Sequence, residues 1–219
     1  MSNKLTDIMQ EALNIDANYF TNAGLVVPEQ DEILVEQFQD GKEKVFDTLL
    51  LRYQNKVMAT CLSMLGNYVD AEDAAQEIFV KVYQALPRFK PKAKFSTWLY
   101  RISINHCSNV IRGRRIRTYL SLQKPAVERM VDNQGMQQNG TPSARPDTAL
   151  EQAERDRAVW QAVEMLSYNQ KVAVVLNKFA GLSYQEVAEV MEISNSAVEA
   201  LLHRAKKKLY TYLSKLLEK

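Results

Sequence analysis

One segment, residues 120–147, divides the chain and limits what it can fold into. It collects Pro125, Gly135, Gly140 and Pro142 among Gln and Asn residues and has little apolar repeat, which predicts a flexible linker. On both sides of it, apolar residues recur every three or four positions, as in an amphipathic α-helix. The sequence therefore predicts an all-α protein in which two small helical domains are joined by this linker.

The residues before the linker predict a small helical bundle. Apolar residues at helical spacing indicate four helices between residues 33 and 110, interrupted at Gly41, Gly66 and Pro87, which are residues that stop helices. Asp70 is the expected N-cap of the third helix, because a short acidic side chain can accept hydrogen bonds from the first free backbone amides.

The third helix has a polar face opposite its apolar stripe. Asp73, Gln76 and Glu77 recur there at helical spacing. Spacing alone favours an ordinary solvated helix surface. The alternative is a docking surface for another protein.

An acid-free block of fifty residues is the strongest chemical signal in the chain. The formal net charge is only +2, yet residues 78–127 contain eleven basic and no acidic side chains, whereas residues 1–77 contain five basic and fourteen acidic ones. Cations neutralise phosphates, and exposed aromatic rings stack on unpaired bases. The block predicts a surface for a nucleic-acid strand; the alternative is that the cations only solubilise the chain and that the rings belong to the core. The residues concerned are Arg88, Phe89, Lys90, Lys92, Lys94, Phe95, Trp98, Tyr100, Arg112, Arg114, Arg115 and Arg117.

The second half contains the spacing of a helix-turn-helix, a DNA-binding motif. Ser183 is the expected cap of its first helix, and Ser194 or Asn195 that of its second. The exposed residues near the start of the second helix are expected to read DNA, with a few further residues nearer the phosphates. These residues are Asn195, Ser196, Glu199, Ala200, His203, Arg204 and Lys207. A stand-alone DNA-binding regulator would carry the same motif.

Other sequence features argue against catalysis and against a membrane location. Cys61 and Cys107 lie in apolar helical patterns without metal-ligand spacing, which predicts reduced, buried thiols in a cytoplasmic protein. No cofactor loop, metal cluster or pairing of a nucleophile with a base appears, so we expect neither an enzyme nor a cofactor. Acidic residues near the N-terminus and the lack of a long apolar run predict no signal peptide and no membrane insertion.

Taken together, the motifs resemble bacterial RNA polymerase sigma factors of the extracytoplasmic-function (ECF) type, within the sigma-70 family. Three runs carry the resemblance, in the order and spacing of that family: DAEDAAQEIFVKVYQALPRF (70–89), KFSTWLYRISINHCSNVIRGRR (94–115) and GLSYQEVAEVMEISNSAVEALLHRAKKKL (181–209). The resemblance covers roughly residues 30–122 and 148–215.

The resemblance implies a division of the chain into four parts. These are an N-terminal extension (1–27), a sigma-two helical bundle (28–122), a linker (123–147) and a sigma-four helix-turn-helix domain (148–219). It also implies a function: binding core RNA polymerase, directing it to specific promoters and assisting their opening. An anti-sigma factor is the implied regulator.

The resemblance further implies a partner for each group of residues. Docking on the β′ clamp helices would involve Asp70, Asp73, Gln76, Glu77 and Phe79, with the β flap as a second contact of the polymerase. Recognition and melting of the minus-ten element would involve Arg88, Phe89, Lys90, Lys92, Lys94, Phe95, Trp98, Tyr100, Arg101, Asn105, Asn109, Arg112, Arg114 and Arg115. Recognition of the minus-thirty-five element would involve Ser194, Asn195, Ser196, Glu199, Ala200, His203, Arg204 and Lys207.

Three residues depart from the family pattern. Glu192 stands in the helix-turn-helix turn where many relatives have Gly, which predicts a less tight or strained turn. Glu199 and Leu201 stand where many relatives have cations. Fewer phosphate contacts or a different sequence preference are expected from these two exchanges.

Overall fold

A computed structural model describes residues 30–90, 93–122 and 161–217. These residues form helices and contain no strand, as the sequence predicts. The N-terminal extension and the linker lie outside the described residues, and so does Lys92. Within the described residues, no helix is both long and apolar enough to cross a bilayer.

The first half forms the four predicted helices. They are α1 (Asp31–Gln39), α2 (Val45–Leu65), α3 (Tyr68–Ala85) and α4 (Phe95–Leu122), with a 3₁₀ turn (Leu86–Arg88) after α3. Each helix buries one apolar side in a common core, and α2 packs against all three of the others. The predicted bundle is confirmed.

The start of α3 differs from the prediction. Its N-cap is Asn67, whose side chain accepts a hydrogen bond of 3.1 Å from the backbone amide of Asp70. Gly66 ends α2 in a left-handed conformation with φ 71°, so the chain reverses within two residues and the cap moves upstream. Asp70 lies instead in the first turn of α3, where a carboxylate interacts favourably with the helix dipole.

The second half continues the helical architecture. Residues 161–164 are helical, followed by α5 (Tyr168–Val174), a π-helical turn (Val175–Phe179), α6 (Tyr184–Met191) and α7 (Asn195–Leu217). Helices α6 and α7 form the predicted helix-turn-helix.

Both helices of the helix-turn-helix begin at the caps that the sequence predicts. Ser183 caps α6 through a reciprocal capping box with Glu186, and Ser194 Oγ accepts a hydrogen bond of 3.2 Å from the amide of Ala197 at the start of α7. Glu192 adopts φ 56°, the one positive φ among the described non-glycine residues. Side chains with a Cβ atom rarely adopt that conformation, so the expectation of a strained turn stays a prediction that this backbone angle supports.

The two helical halves pack directly against each other. The π-helical turn contacts α2, and α6 contacts α4. One continuous hydrophobic cluster includes Leu99 and Tyr100 of the first half together with Leu176 and Val187 of the second. The core therefore runs through the boundary between the halves.

Candidate functional site

The polar face of α3 forms a shallow groove. Asp73, Gln76, Glu77 and Lys81 line it together with the exposed side chain of Val80. The opposite side of α3 is buried in the core. A groove that combines carboxylates, an amide and an exposed apolar side chain can hold an element of another protein, because polar and apolar contacts are available side by side.

The other two residues assigned to this face have structural roles in the described residues. Asp70 forms an ion pair with Arg114 of α4, and Arg114 also donates a hydrogen bond of 3.2 Å to the carbonyl of Leu65. Phe79 is half-buried against the core. Asp70 and Arg114 thus join α3 to α4 at the end of α2.

Sequence reasoning missed a histidine that lies beneath the groove. His106 of α4 is 8% exposed, with its Nδ1 2.5 Å from Nζ of Lys81 and its Nε2 3.8 Å from a carboxylate oxygen of Glu77. Burial, and then the neighbouring ammonium, lower the pKa of His106 below its ordinary value. Since His106 lies 25 residues from Lys81 along the chain, no local pattern signals this contact.

The expectation of exposed aromatic rings is wrong for three of the four residues. Phe89, Phe95 and Tyr100 are at most 8% exposed, and the ring centroid of Phe89 lies 6.3 Å from that of Phe95 and 4.7 Å from that of Trp98. Large rings are strongly stabilised by removal from water and by contact with one another. Trp98 alone of the four is half-buried, so it retains a surface on which a base could stack.

The cations and amides of the acid-free block remain largely at the surface. Trp98, Arg101, Asn105, Asn109 and Arg112 follow one another at helical spacing along α4. Both amides and Arg112 are exposed, and Arg101 is half-exposed. Further exposed cations of this block are Arg88, Lys90, Lys94 and Arg115. This strip can bind a polyanion along the length of α4.

Two of these cations have acidic partners that the sequence did not reveal. Lys94 Nζ lies 2.9 Å from a carboxylate oxygen of Glu186, and Arg101 Nη1 lies 3.3 Å from one of Glu192. Both acids belong to α6 or its end, about ninety residues later in the chain. Part of the basic strip is therefore neutralised from within the protein.

The start of α7 presents all of its predicted DNA-facing residues to solvent. Eight of them are exposed: Ser194, Asn195, Ser196, Glu199, Ala200, His203, Arg204 and Lys207. Buried Val198 and Ala205 hold the helix against α5 and α6. This face can approach the edges of bases, and Glu199 places a negative charge within it.

Comparisons with known proteins identify both halves. Residues 49–117 match a family profile described as "Sigma-70 region 2", and residues 156–209 match "Sigma-70, region 4". The chain is similar to the RNA polymerase sigma-H factor of Pseudomonas aeruginosa, with 33% identity over 88% of this chain and 98% of that protein. It is also similar to the ECF RNA polymerase sigma-E factor of Escherichia coli K12, with 33% identity over 80% and 90% of the two chains.

Solved structures show the same fold. A chain in the structure of CnrH in complex with the cytosolic domain of CnrY matches with a TM-score of 0.62 and 24% identity, over 85% of this chain and 99% of that one. A chain in the complex of the sigma factor RpoE with the anti-sigma factor NepR from Bartonella quintana matches with a TM-score of 0.61 and 20% identity, over 78% and 98%.

Proposed function

The chain belongs to the sigma-70 family of RNA polymerase sigma factors, in its ECF group. On that premise we propose a binding partner for each of three surfaces. The groove on α3 binds core RNA polymerase, the strip along α4 holds the opened strand of the minus-ten element, and the start of α7 reads the minus-thirty-five element. We propose that the protein is located in the cytoplasm, where the polymerase acts.

One observation carries the proposal for the groove. Asp73, Gln76 and Glu77 point away from the core on a helix whose opposite side is fully packed. The β′ clamp helices are the partner that we assign to this groove. The exposed side chain of Val80 beside these polar groups offers that partner an apolar contact.

Strand opening is proposed for the α4 strip because its chemistry suits a single strand. The exposed cations can neutralise phosphates, while Trp98 and the amides of Asn105 and Asn109 face the same side of the helix. Base stacking contributes on the order of 1–3 kcal/mol, similar to the few kcal/mol needed to unstack a base. Such a strip can hold melted DNA without an energy source of its own.

Promoter reading is proposed for the start of α7. Asn195 and Ser196 can hydrogen-bond base edges from the first turn, and Arg204 and Lys207 lie two or three turns later, where phosphates run. Glu199 repels phosphates and can accept a hydrogen bond from the amino group of cytosine. We therefore propose a minus-thirty-five sequence that differs from that of relatives with a cation here. Two further partners are proposed. The β flap of core RNA polymerase binds the second half of the chain, and an anti-sigma factor binds the complete protein.

The experiment that tests the groove is a charge reversal with a matched control. Asp73→Lys is expected to reduce binding to core polymerase by about tenfold or more, because a partner surface complementary to a carboxylate then faces an ammonium. Glu36→Lys changes the charge equally at an exposed position of α1 outside the groove and is expected to bind as the wild type does. The affinity of each variant for purified, immobilised core polymerase is measured by surface plasmon resonance. Circular dichroism checks that each variant keeps its helices. Undiminished binding by the Asp73 variant would show that the groove is not the docking surface.

A further inference from the structure

One side chain of the groove on α3 is held from below by a residue of another helix. Lys81 lines this groove, and its Nζ lies 2.5 Å from Nδ1 of His106 on α4. The same ammonium lies 3.6 Å from a carboxylate oxygen of Glu77, and the Nε2 atom of His106 lies 3.8 Å from that oxygen. Lys81 is therefore held between a buried ring and a carboxylate of the groove.

The contact between Lys81 and His106 determines the hydrogen-bonding roles of both side chains. An ammonium only donates hydrogen bonds, so Nδ1 of His106 has to be the accepting, unprotonated nitrogen. The proton of the neutral ring then lies on Nε2, on the side of Glu77. The geometry thus requires a neutral ring in a single tautomer.

The surroundings of His106 keep its ring neutral. The residue is 8% exposed, and its burial, followed by the Lys81 ammonium, lowers the pKa of the ring, whereas Glu77 opposes the shift. Within the described residues, the charged groups that act on the ring are Lys81 and Glu77, and both belong to α3. Since the ordinary pKa of histidine is about 6.5, the ring is neutral at pH 7.5 and gains a second proton only in acid.

Protonation of the ring removes the contact with Lys81. An imidazolium has no accepting nitrogen, and its charge repels the ammonium. The Lys81 side chain is 49% exposed and has a flexible stem, so it can turn outward into the groove. The imidazolium in turn attracts the Glu77 carboxylate. The groove then presents an additional free cation and a less available carboxylate.

We propose that His106 is a positioning residue of the groove on α3: its neutral ring holds the Lys81 ammonium at the floor of the groove, and protonation of the ring releases it. For the identity of the partner, core RNA polymerase, this inference rests on the proposed function. A partner surface that complements the carboxylates of the groove is repelled by a released ammonium. Docking therefore weakens when the ring is protonated or is replaced by a side chain that cannot accept a hydrogen bond.

The contact itself is tested without polymerase, by NMR of the full-length protein labelled with ¹⁵N at histidine. Correlations between the ring nitrogens and the carbon-bound ring protons distinguish the two neutral tautomers from the imidazolium. At pH 7.5 we expect Nδ1 of His106 to be unprotonated and Nε2 to be protonated. The signals missing from a His106→Asn sample identify this ring. Protonation at Nδ1, in the other tautomer or in an imidazolium, would overturn the inference.

Positioning is tested with two substitutions that differ in one hydrogen bond. His106→Asn brings an amide oxygen near the position of Nδ1 and can accept from Lys81, whereas His106→Leu fills the site with an apolar side chain that accepts nothing. Affinity for immobilised core polymerase is measured at pH 7.5, and circular dichroism checks the helices. We expect the Leu variant to bind about threefold more weakly than the Asn variant. Equal affinities, or tighter binding by the Leu variant as packing alone predicts, would contradict the positioning role.

The part played by Lys81 is tested by repeating this pair of substitutions in a Lys81→Met chain. If His106 acts on docking through Lys81, the two variants bind equally once the ammonium is gone. A difference between them that persists in the Lys81→Met chain would show that His106 acts by another route, and the inference would be wrong.

Acid supplies a readout that packing does not change. Between pH 7.5 and pH 5.5 the wild-type protein is expected to lose affinity for core polymerase by about twofold or more relative to His106→Asn, whose amide does not titrate. Comparison of the two proteins cancels the titration of the polymerase itself, and circular dichroism at both pH values checks the fold. The same pH dependence in both proteins would count against release of Lys81.

The two proposals can fail separately. The NMR measurement reports on the ring whether or not the groove binds polymerase, and the Asp73→Lys experiment reports docking whether or not His106 holds Lys81. Weak binding by the Asp73 variant together with equal binding by the two His106 variants would remove the positioning role and leave the proposed function intact.

Discussion

At the scale of single residues, the backbone of Glu192 gives a test that separates strain from charge. Its φ of 56° suits glycine, and its side chain also pairs with Arg101. Glu192→Gly and Glu192→Ala both remove the carboxylate, but only glycine adopts this conformation without a steric penalty. We expect the glycine variant to be more stable than the alanine variant by about 1 kcal/mol, measured by urea denaturation. Equal stabilities would mean that the turn relaxes and that the strain is not present in solution.

At the scale of elements, His106 reports the contact between α3 and α4. Burial and the Lys81 ammonium lower its pKa, so the unfolded chain binds a proton more readily than the folded one. The stability that this residue contributes is therefore complete above the ordinary pKa of about 6.5 and declines as the pH falls toward the folded value. Lys81→Met is expected to raise the NMR titration midpoint of the His106 ring, because the cation is removed and Glu77 remains.

The control for this titration is Lys42→Met, which removes an exposed ammonium before α2. The chain has two histidines, so a His203→Gln substitution assigns the ring signal that remains to His106. A His106 midpoint that does not rise in the Lys81 variant would contradict the contact.

At the scale of the whole molecule, the shared core predicts cooperative unfolding. Because one hydrophobic cluster spans both halves, loss of either half exposes apolar surface of the other. In a Trp160→Phe chain the fluorescence of Trp98 reports the first half, while far-UV circular dichroism reports all helices. The two urea transitions are expected to coincide. Two separate transitions would indicate that the halves unfold independently, and a Glu192→Lys variant, which loses the ion pair with Arg101, should move toward that behaviour.

The sequence by itself determined what depends on neighbouring residues. Helical spacing, Gly41 and Gly66, and the cap at Ser183 act within one or two turns, so the helices and the helix-turn-helix were predictable. The groove on α3 was predictable as a polar face for the same reason. The N-cap of α3 was missed because Asn67 and Asp70 are both good caps and the position of Gly66 decides between them.

Only the tertiary structure decided which charged side chains stay unpaired and which aromatic rings stay exposed to solvent. The basic residues next to Phe89, Phe95 and Tyr100 in the sequence predict that these rings are exposed. Packing of several helices buries them instead. Lys94 and Arg101 lie in a stretch of sequence without acidic residues. In the structure they pair with Glu186 and Glu192, about ninety residues later in the chain. Burial and ion pairing are set by distances in space between residues far apart in the chain, and a one-dimensional pattern does not contain those distances.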